Sequence, residues 1–217
     1  GSNLLAWYTR DEPNELMYDL VRGMHEVVHQ ADPYHPTMTV IFTQHLFPAY
    51  HNATDILGPD IYPSFPGGRI AAVGDAVRKA VREMGGKPVI AVLQSFYPQG
   101  DYRMPNRTEL RCMAYLSVVS GATGIMWFSY DYNGVMSEKH PQAWAAIKEL
   151  AGEFKQLASA FLADRSTLPQ IQGESKANGP VPTVVYRHDG SLFVVAVNDK
   201  KQKMGSVQFS FEKYRPV

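Results

Sequence analysis

Five times between Asn3 and Leu162 a short apolar run gives way to a longer stretch, most of them with apolar residues at helical spacing, and this alternation narrows the fold more than any other feature. Strands separated by helices pair in parallel, because a parallel neighbour is reached only through a crossover connection. The runs are Asn3 to Tyr8, Thr37 to Phe42, Ile56 to Tyr62, Pro88 to Phe96 and Gly124 to Tyr130. The third is interrupted by Gly58-Pro59, while the fourth, PVIAVLQSF, is apolar almost throughout, as a strand covered on both faces must be. After the first run Leu16, Leu20, Met24 and Val27 fall at helical spacing until Asp32-Pro33 stops them. The loop after the second run carries Pro and His and little helical pattern. Further helices are expected over Ile70 to Met84, closed by Gly85-Gly86, and over Thr108 to Ser120, where Thr108 is the N-cap and Arg111 leaves the capping box incomplete. The last runs from about Pro141 to Leu162 with Trp144, Ile147, Leu150, Phe154 and Leu157 on one face.

Each unit takes about 32 residues, so eight would need about 256, close to the ~250 of a (β/α)8 barrel. The expected fold is therefore α/β, with residues 1–162 as the last five units of such a barrel. The competing reading is a complete open, doubly wound sheet, against which stands the lack of any GxGxxG or Gly-rich phosphate turn after a strand. From Ala163 to Pro182 the chain is rich in Pro, Gly and Ser; then come Thr183 to Tyr186, the turn Asp189-Gly190, Leu192 to Val197 and Ser206 to Phe211. These are hairpin signals for about three antiparallel strands, so residues 163–217 read as the start of a C-terminal β-sandwich-like module. A barrel short of three units leaves strand edges open. The expected partner is the N-terminal half of the barrel, from the same precursor or a companion chain, or else a second copy.

Twenty-one basic and 21 acidic residues cancel, and no basic run is interleaved with aromatics, which argues against nucleic acid and anionic membrane surfaces. No stretch of about 18 apolar residues exists to span a bilayer. The single cysteine, Cys112, excludes an internal disulfide framework and a cysteine metal cluster, and reads as a small apolar side chain on its helix. His25 and His29 stand at i and i+4, a spacing that suits a metal, but no third ligand is evident beside them, so neither metal nor cofactor is expected. Gly1-Ser2 lead directly into an apolar run without a charged leader region, and any targeting signal is expected upstream.

Active sites of parallel α/β folds lie where the strands end. The runs here end in Asp11-Glu12, in Gln44-His45, in Asp60 and Tyr62, in Gln94 with Tyr97, and in Tyr130-Asp131 just after Trp127. Carboxylates and amides that hydrogen-bond hydroxyls, set among aromatic faces that stack on ring C–H groups, suit a carbohydrate; phosphates would call for Lys or Arg.

WYTRDEP resembles the signature at the fourth strand of retaining glycoside hydrolases built on (β/α)8 barrels, where Asn-Glu-Pro carries the acid/base; Asp11 stands in place of the Asn. DILGPDIYP, GKPVIAVLQSF and GATGIMWFSYDY are similar to the sixth, seventh and eighth strands, and VVAVN resembles the exit into a C-terminal β-module. The resemblance implies a glycosidase with Glu12 as general acid/base and a secreted or periplasmic setting. Burial among Trp7, Tyr8 and other aromatics is expected to keep Glu12 protonated. Where those enzymes end their seventh strand in a nucleophilic Glu, this chain has Gln94. Three accounts remain open. Asp11-Glu12 also resembles the pair of substrate-assisted hexosaminidases, in which Asp11 would orient a 2-acetamido group and Tyr62 or Tyr130 brace the intermediate. Alternatively, Asp60 or Asp131 supplies a second carboxylate, or the barrel binds glycans without cleaving them.

Overall fold

The computed structural model describes residues 3–96, 100–132, 134–163, 168, 170–188 and 190–211. Strands β1 (Trp7–Asp11), β2 (Thr37–Ile41), β3 (Ile56–Ile61), β4 (Ile90–Gln94) and β5 (Gly124–Phe128) form one parallel sheet in chain order. Between them lie α1 (Tyr18–Ala31), the short α2 (Phe47–Tyr50), α3 (Ala71–Met84) and α4 (Arg107–Val119), and after β5 come α5 (Met136–Lys139) and α6 (Pro141–Phe161). Right-handed crossovers between successive neighbours keep all connections on one face, whereas a doubly wound sheet reverses its order and takes helices on both. The observed order therefore removes the open-sheet alternative and leaves an α/β arc of five consecutive barrel-type units.

The two faces carry different side chains, as the period of two requires. Ile41, Leu57, Ala91 and Leu93 meet Val21, Val77, Met113 and Ile147 of the helices in the main core. Met38, Val40, Ile56 and Val92 pack together on the inner face. The Gly58-Pro59 pair does not interrupt β3 itself. Its ladder to β2 runs from Ile56 to Pro59, and only the ladder to β4 is broken, resuming at Asp60 and Ile61. A proline without an N–H explains a gap on one side.

Several boundaries differ from the expected ones. The first strand starts at Trp7, whose N–H donates to the Pro36 carbonyl, because pairing begins with Thr37. The apolar residues read from spacing face outward: Leu16, on a 3-10 turn just before α1, is 92% exposed and Val27 on α1 64%, whereas Val21 is fully buried. Tyr18, Val21 and His25 occupy the sheet side instead, with Tyr18 edge-on to Tyr50 at 5.7 Å and His25 at Thr37. The cap of α4 is Asn106, not Thr108, and its box is complete: Asn106 Oδ1 accepts from the Glu109 N–H (3.0 Å) and Glu109 Oε2 from the Asn106 N–H (2.9 Å).

Beyond α6 all pairing is antiparallel. Strands β6 (Ile171–Ser175), β7 (Gly179–Val181) and β10 (Val207–Phe211) form one small sheet, and β8 (Thr183–His188) and β9 (Ser191–Ala196) another. Two of the five fall in the Pro-, Gly- and Ser-rich stretch from Ala163 to Pro182, where Gly173 and Gly179 hide the alternation. Tyr186 anchors this part, buried with Val118 and Ala160 against α4 and α6. No helix among the described residues is long and apolar enough to cross a membrane.

Gly58 sits where the inner face is tightest: a Cβ there would lie 2.9 Å from both Met38 Cε and Val40 Cγ2. Gly58→Val is expected to cost about 1–3 kcal/mol through overpacking, read as a lower urea midpoint at unchanged slope.

Candidate active site

Two backbone irregularities in and after β1 gather the carboxylates. A regular strand would send Tyr8 and Asp11, three residues apart, to opposite faces. The pairing of β1 with β2 slips between Tyr8 and Arg10, which leaves Thr9 as a bulge residue. Its hydroxyl donates to the Met38 carbonyl (3.1 Å) and meets the Thr39 hydroxyl (2.9 Å). Past the bulge the faces are exchanged, and the Tyr8 hydroxyl donates to Asp11 Oδ1 at 2.6 Å. Glu12 then adopts a left-handed φ of 39° while its N–H donates to the Val40 carbonyl (2.9 Å). Such a conformation costs a non-glycine residue about 1–3 kcal/mol. The result is that Asp11 and Glu12, adjacent in sequence, line the same cleft.

Asp60 enters this cleft from the inner face of β3, 1% exposed, and shares it with Glu12. Its Oδ1 has no hydrogen-bond partner among the described residues. Burial first, then the hydrogen bond and charge of Glu12, push the Asp60 carboxyl from 3.8 up to about 8. The Asp60 carboxyl therefore keeps its proton near neutral pH. Burial and the Asp60 charge raise Tyr62, and burial with the bond to Asp11 raises Tyr8, so both stay neutral hydroxyl donors. The burial expected around Glu12 falls on Asp60 instead. Glu12, Trp7 and Tyr8 are exposed, and the Trp7 indole donates to Asp32 (3.0 Å), away from the carboxylates.

The cleft has a volume of about 490 Å³ and is otherwise lined by Val40, Val92, Phe96, Tyr102, Met126, Phe128 and Tyr132. Its rings interlock: Tyr62 stands edge-on to Phe96 at 5.0 Å and stacks on Phe128 at 6.0 Å, and Phe128 lies 5.5 Å from Tyr132. Of the expected site residues, Asp11, Glu12, Asp60 and Tyr62 converge here.

The others are placed elsewhere. Gln94 is fully buried, and its amide joins two loops: Oε1 accepts from the Ser64 N–H (2.9 Å) and Nε2 donates to the Arg103 carbonyl (3.0 Å). Gln44 and His45 lie on a 3-10 turn after β2, with His45 Nε2 2.8 Å from Glu15 Oε1. Trp127 faces the helices. Tyr130 packs its ring on Trp144 at 5.0 Å and its hydroxyl on Ser137 (3.0 Å). Asp131 is exposed in a turn, its carbonyl accepting from the Gly134 N–H (3.1 Å). Tyr97 lies outside the described residues.

Strand alternation carries the signal for the wall residues that sequence reading passed over. In β5 only Met126 and Phe128 share the inner face, and Trp127 must turn the other way.

No family model and no curated protein matches the chain. Among solved structures it is similar to a Bacteroides fragilis protein described as a beta-galactosidase, at 11% identity and a TM-score of 0.49, over 89% of this chain and 40% of that one. It is similar also to the endo-beta-1,4-mannanase of Thermotoga petrophila, at 15% identity and a TM-score of 0.44, over 89% of this chain and 51% of that one. A truncated 3-deoxy-D-arabino-heptulosonate 7-phosphate synthase from Thermotoga maritima aligns at 14% identity with a TM-score of 0.32, over 70% of this chain and 76% of that one. The chain thus spans about half or less of the first two proteins.

Because folding raises the Asp60 pKa, the folded chain holds this proton to higher pH than the unfolded one. The associated stability is complete below about pH 4 and is lost as pH rises to about 8, by at most ~1.4 kcal/mol per pH unit. Asp60→Asn is expected to flatten that loss, measured as urea midpoints of both proteins at about pH 5 and about pH 8.

Proposed function

We propose that the cleft binds a carbohydrate and that Glu12 serves as general acid/base in cleaving a glycosidic bond. The observation that carries this reading is that Glu12 and buried Asp60 line one cleft at the carboxyl end of the sheet. Glu12 is the exposed member, so it can reach a glycosidic oxygen. Asp60 behind it holds its own proton at a pH where an isolated carboxyl would have lost it, and so adds no second negative charge beside Glu12. Tyr62 lines the same cleft as a neutral hydroxyl, Tyr8 fixes Asp11, and Phe128 and Tyr132 offer ring faces to a sugar.

In this reading Asp60 supports the acid from behind and is not the second carboxylate across the sugar, whose separation from Glu12 would be about 5–5.5 Å for retention or 6.5–9.5 Å for inversion. The attacking group would come from the substrate, with Asp11 placed to orient it, or from water. A second reading, glycan binding without cleavage, draws on Gln94: the position where the resemblance expects a nucleophile holds an amide engaged between two loops.

Glu12→Gln is expected to slow hydrolysis of an unactivated glycoside by about 10² to 10⁴-fold, with aryl glycosides less affected because their leaving groups need little protonation. An unchanged rate on the unactivated substrate would overturn the assignment. Glycan binding by a wild type that cleaves nothing would favour the second reading.

We also propose that the arc is completed by further strand–helix units, from the same precursor, from a companion chain or from a second copy. Among the described residues β1 and β5 each pair on one side only, and Leu20, Met24 and Val27 form an exposed apolar stripe on α1 beside β1, extended by Leu16 on the turn before it. An open edge next to exposed apolar surface favours association. Sedimentation of the isolated chain is expected to show association that Leu20→Glu with Val27→Glu weakens; a stable, well-folded 24.2 kDa monomer would contradict it.

A further inference from the structure

At the opposite end of the strands the fold supplies the ligand that the histidine pair lacked in sequence. His25 and His29, one turn apart on α1, have ring centroids 4.5 Å apart. Asp55, immediately before β3, places Oδ2 2.8 Å from His29 Nε2 and 3.9 Å from His25 Nδ1. All three ligand atoms lie within 4.8 Å of one another, and no other such group of three occurs among the described residues. We propose that His25, His29 and Asp55 form a binding site for a divalent transition-metal ion of the Zn²⁺ class, tying α1 to the starts of β2 and β3.

The distances suit the ion. Zn–N and Zn–O bonds of about 2.0–2.2 Å at tetrahedral angles set ligand atoms roughly 3.4 Å apart. The two contacts to Asp55 bracket that value, so sub-ångström shifts of exposed-edge side chains close the shell. The carboxylate is already held as an outer shell would hold it. Thr37 donates to Asp55 Oδ2 from its N–H (2.8 Å) and its hydroxyl (3.1 Å), and its Oγ1 also contacts His25 Nδ1 at 2.7 Å. His25 Nδ1 turns from that hydroxyl to the ion, and the ion replaces the proton between His29 and Asp55, which is released.

The side chains retain 17%, 39% and 29% exposure, which gives an entry path and leaves water for the fourth position. Only one of the two imidazoles can share a proton with Asp55 Oδ2 at hydrogen-bond length, whereas a metal engages both. Asp55 and Asp60 lie five positions apart, about 16 Å of strand, so this site is separate from the cleft.

The test is titration of the tag-free chain with ZnCl₂ and, separately, CoCl₂, followed by calorimetry, thermal melting and visible absorption. One ion per chain, a raised melting temperature reversed by EDTA, and the intense visible bands of four-coordinate Co²⁺ are expected. His25→Gln with His29→Gln should abolish all three, and Thr37→Val should weaken binding by about 10- to 100-fold. No saturable binding to the wild type, or binding retained in the double variant, overturns the proposal. The Co²⁺ spectrum is read on the wild type, so a six-coordinate, water-like spectrum overturns it even if a variant fails to fold.

Discussion

Packing of the helical connections against a single face of a parallel sheet is the constraint from which the rest of this molecule follows. Ile41, Leu57, Ala91 and Leu93 spend one side of each central strand on that layer, sealed by Val21, Val77 and Met113. The other side must then be lined by what remains, and near the strand starts it is small and apolar: Met38, Val40, Ile56 and Val92 around Gly58. Toward the strand ends the same parity brings Asp60, Tyr62, Phe96 and Phe128 inward. The floor of the cleft and its walls are consequences of one alternation continued past the point where it serves packing.

Regularity alone would not have made the site. The bulge at Thr9 and the left-handed turn at Glu12 rotate two successive side chains into one space that an ideal strand would divide between two faces. Both departures are held by carbonyls of β2: Met38 accepts from the Thr9 hydroxyl and Val40 from the Glu12 N–H. A rigid sheet thus supports a local distortion, and the distortion places the chemistry.

That division explains what was legible in the sequence. Period and punctuation carry the five strand–helix units, their parallel order and the antiparallel switch after Leu162, since these depend on burial. Asp11, Glu12, Asp60 and Tyr62 were visible because they close apolar runs. Trp127 and Gln94 also close such runs, yet one faces the helices and the other braces loops. Parity turns Trp127 outward, whereas Gln94 shares the parity of Val92 and Phe96 and is taken by backbone groups of Ser64 and Arg103 that other loops bring to it. The stripe of α1 failed for a related reason: Leu16 to Val27 is a genuine helical face, but amphipathicity does not say which neighbour it meets, and the sheet took Tyr18 and Val21. Asp55 was invisible as a companion of His25 and His29 because it lies 26 residues beyond His29, joined only when β2 and β3 pair.

The contrast between Asp55 and Asp60, five residues apart across one strand, shows how the fold assigns protons. Burial raises both. At Asp55 the Thr37 N–H, His29 and the Thr37 hydroxyl outweigh that penalty and hold the carboxyl below its usual value, so it stays an anion able to bind a cation. At Asp60 burial is met chiefly by Glu12, another carboxyl, and charge on either disfavours charge on its neighbour, leaving the acid form in place. A parallel strand offers backbone donors and helix side chains at its start, and at its end the residues that stop pairing. The same residue type therefore becomes a fixed anion at one end and a proton holder at the other, set by which donors the pairing of β2 and β3 delivers.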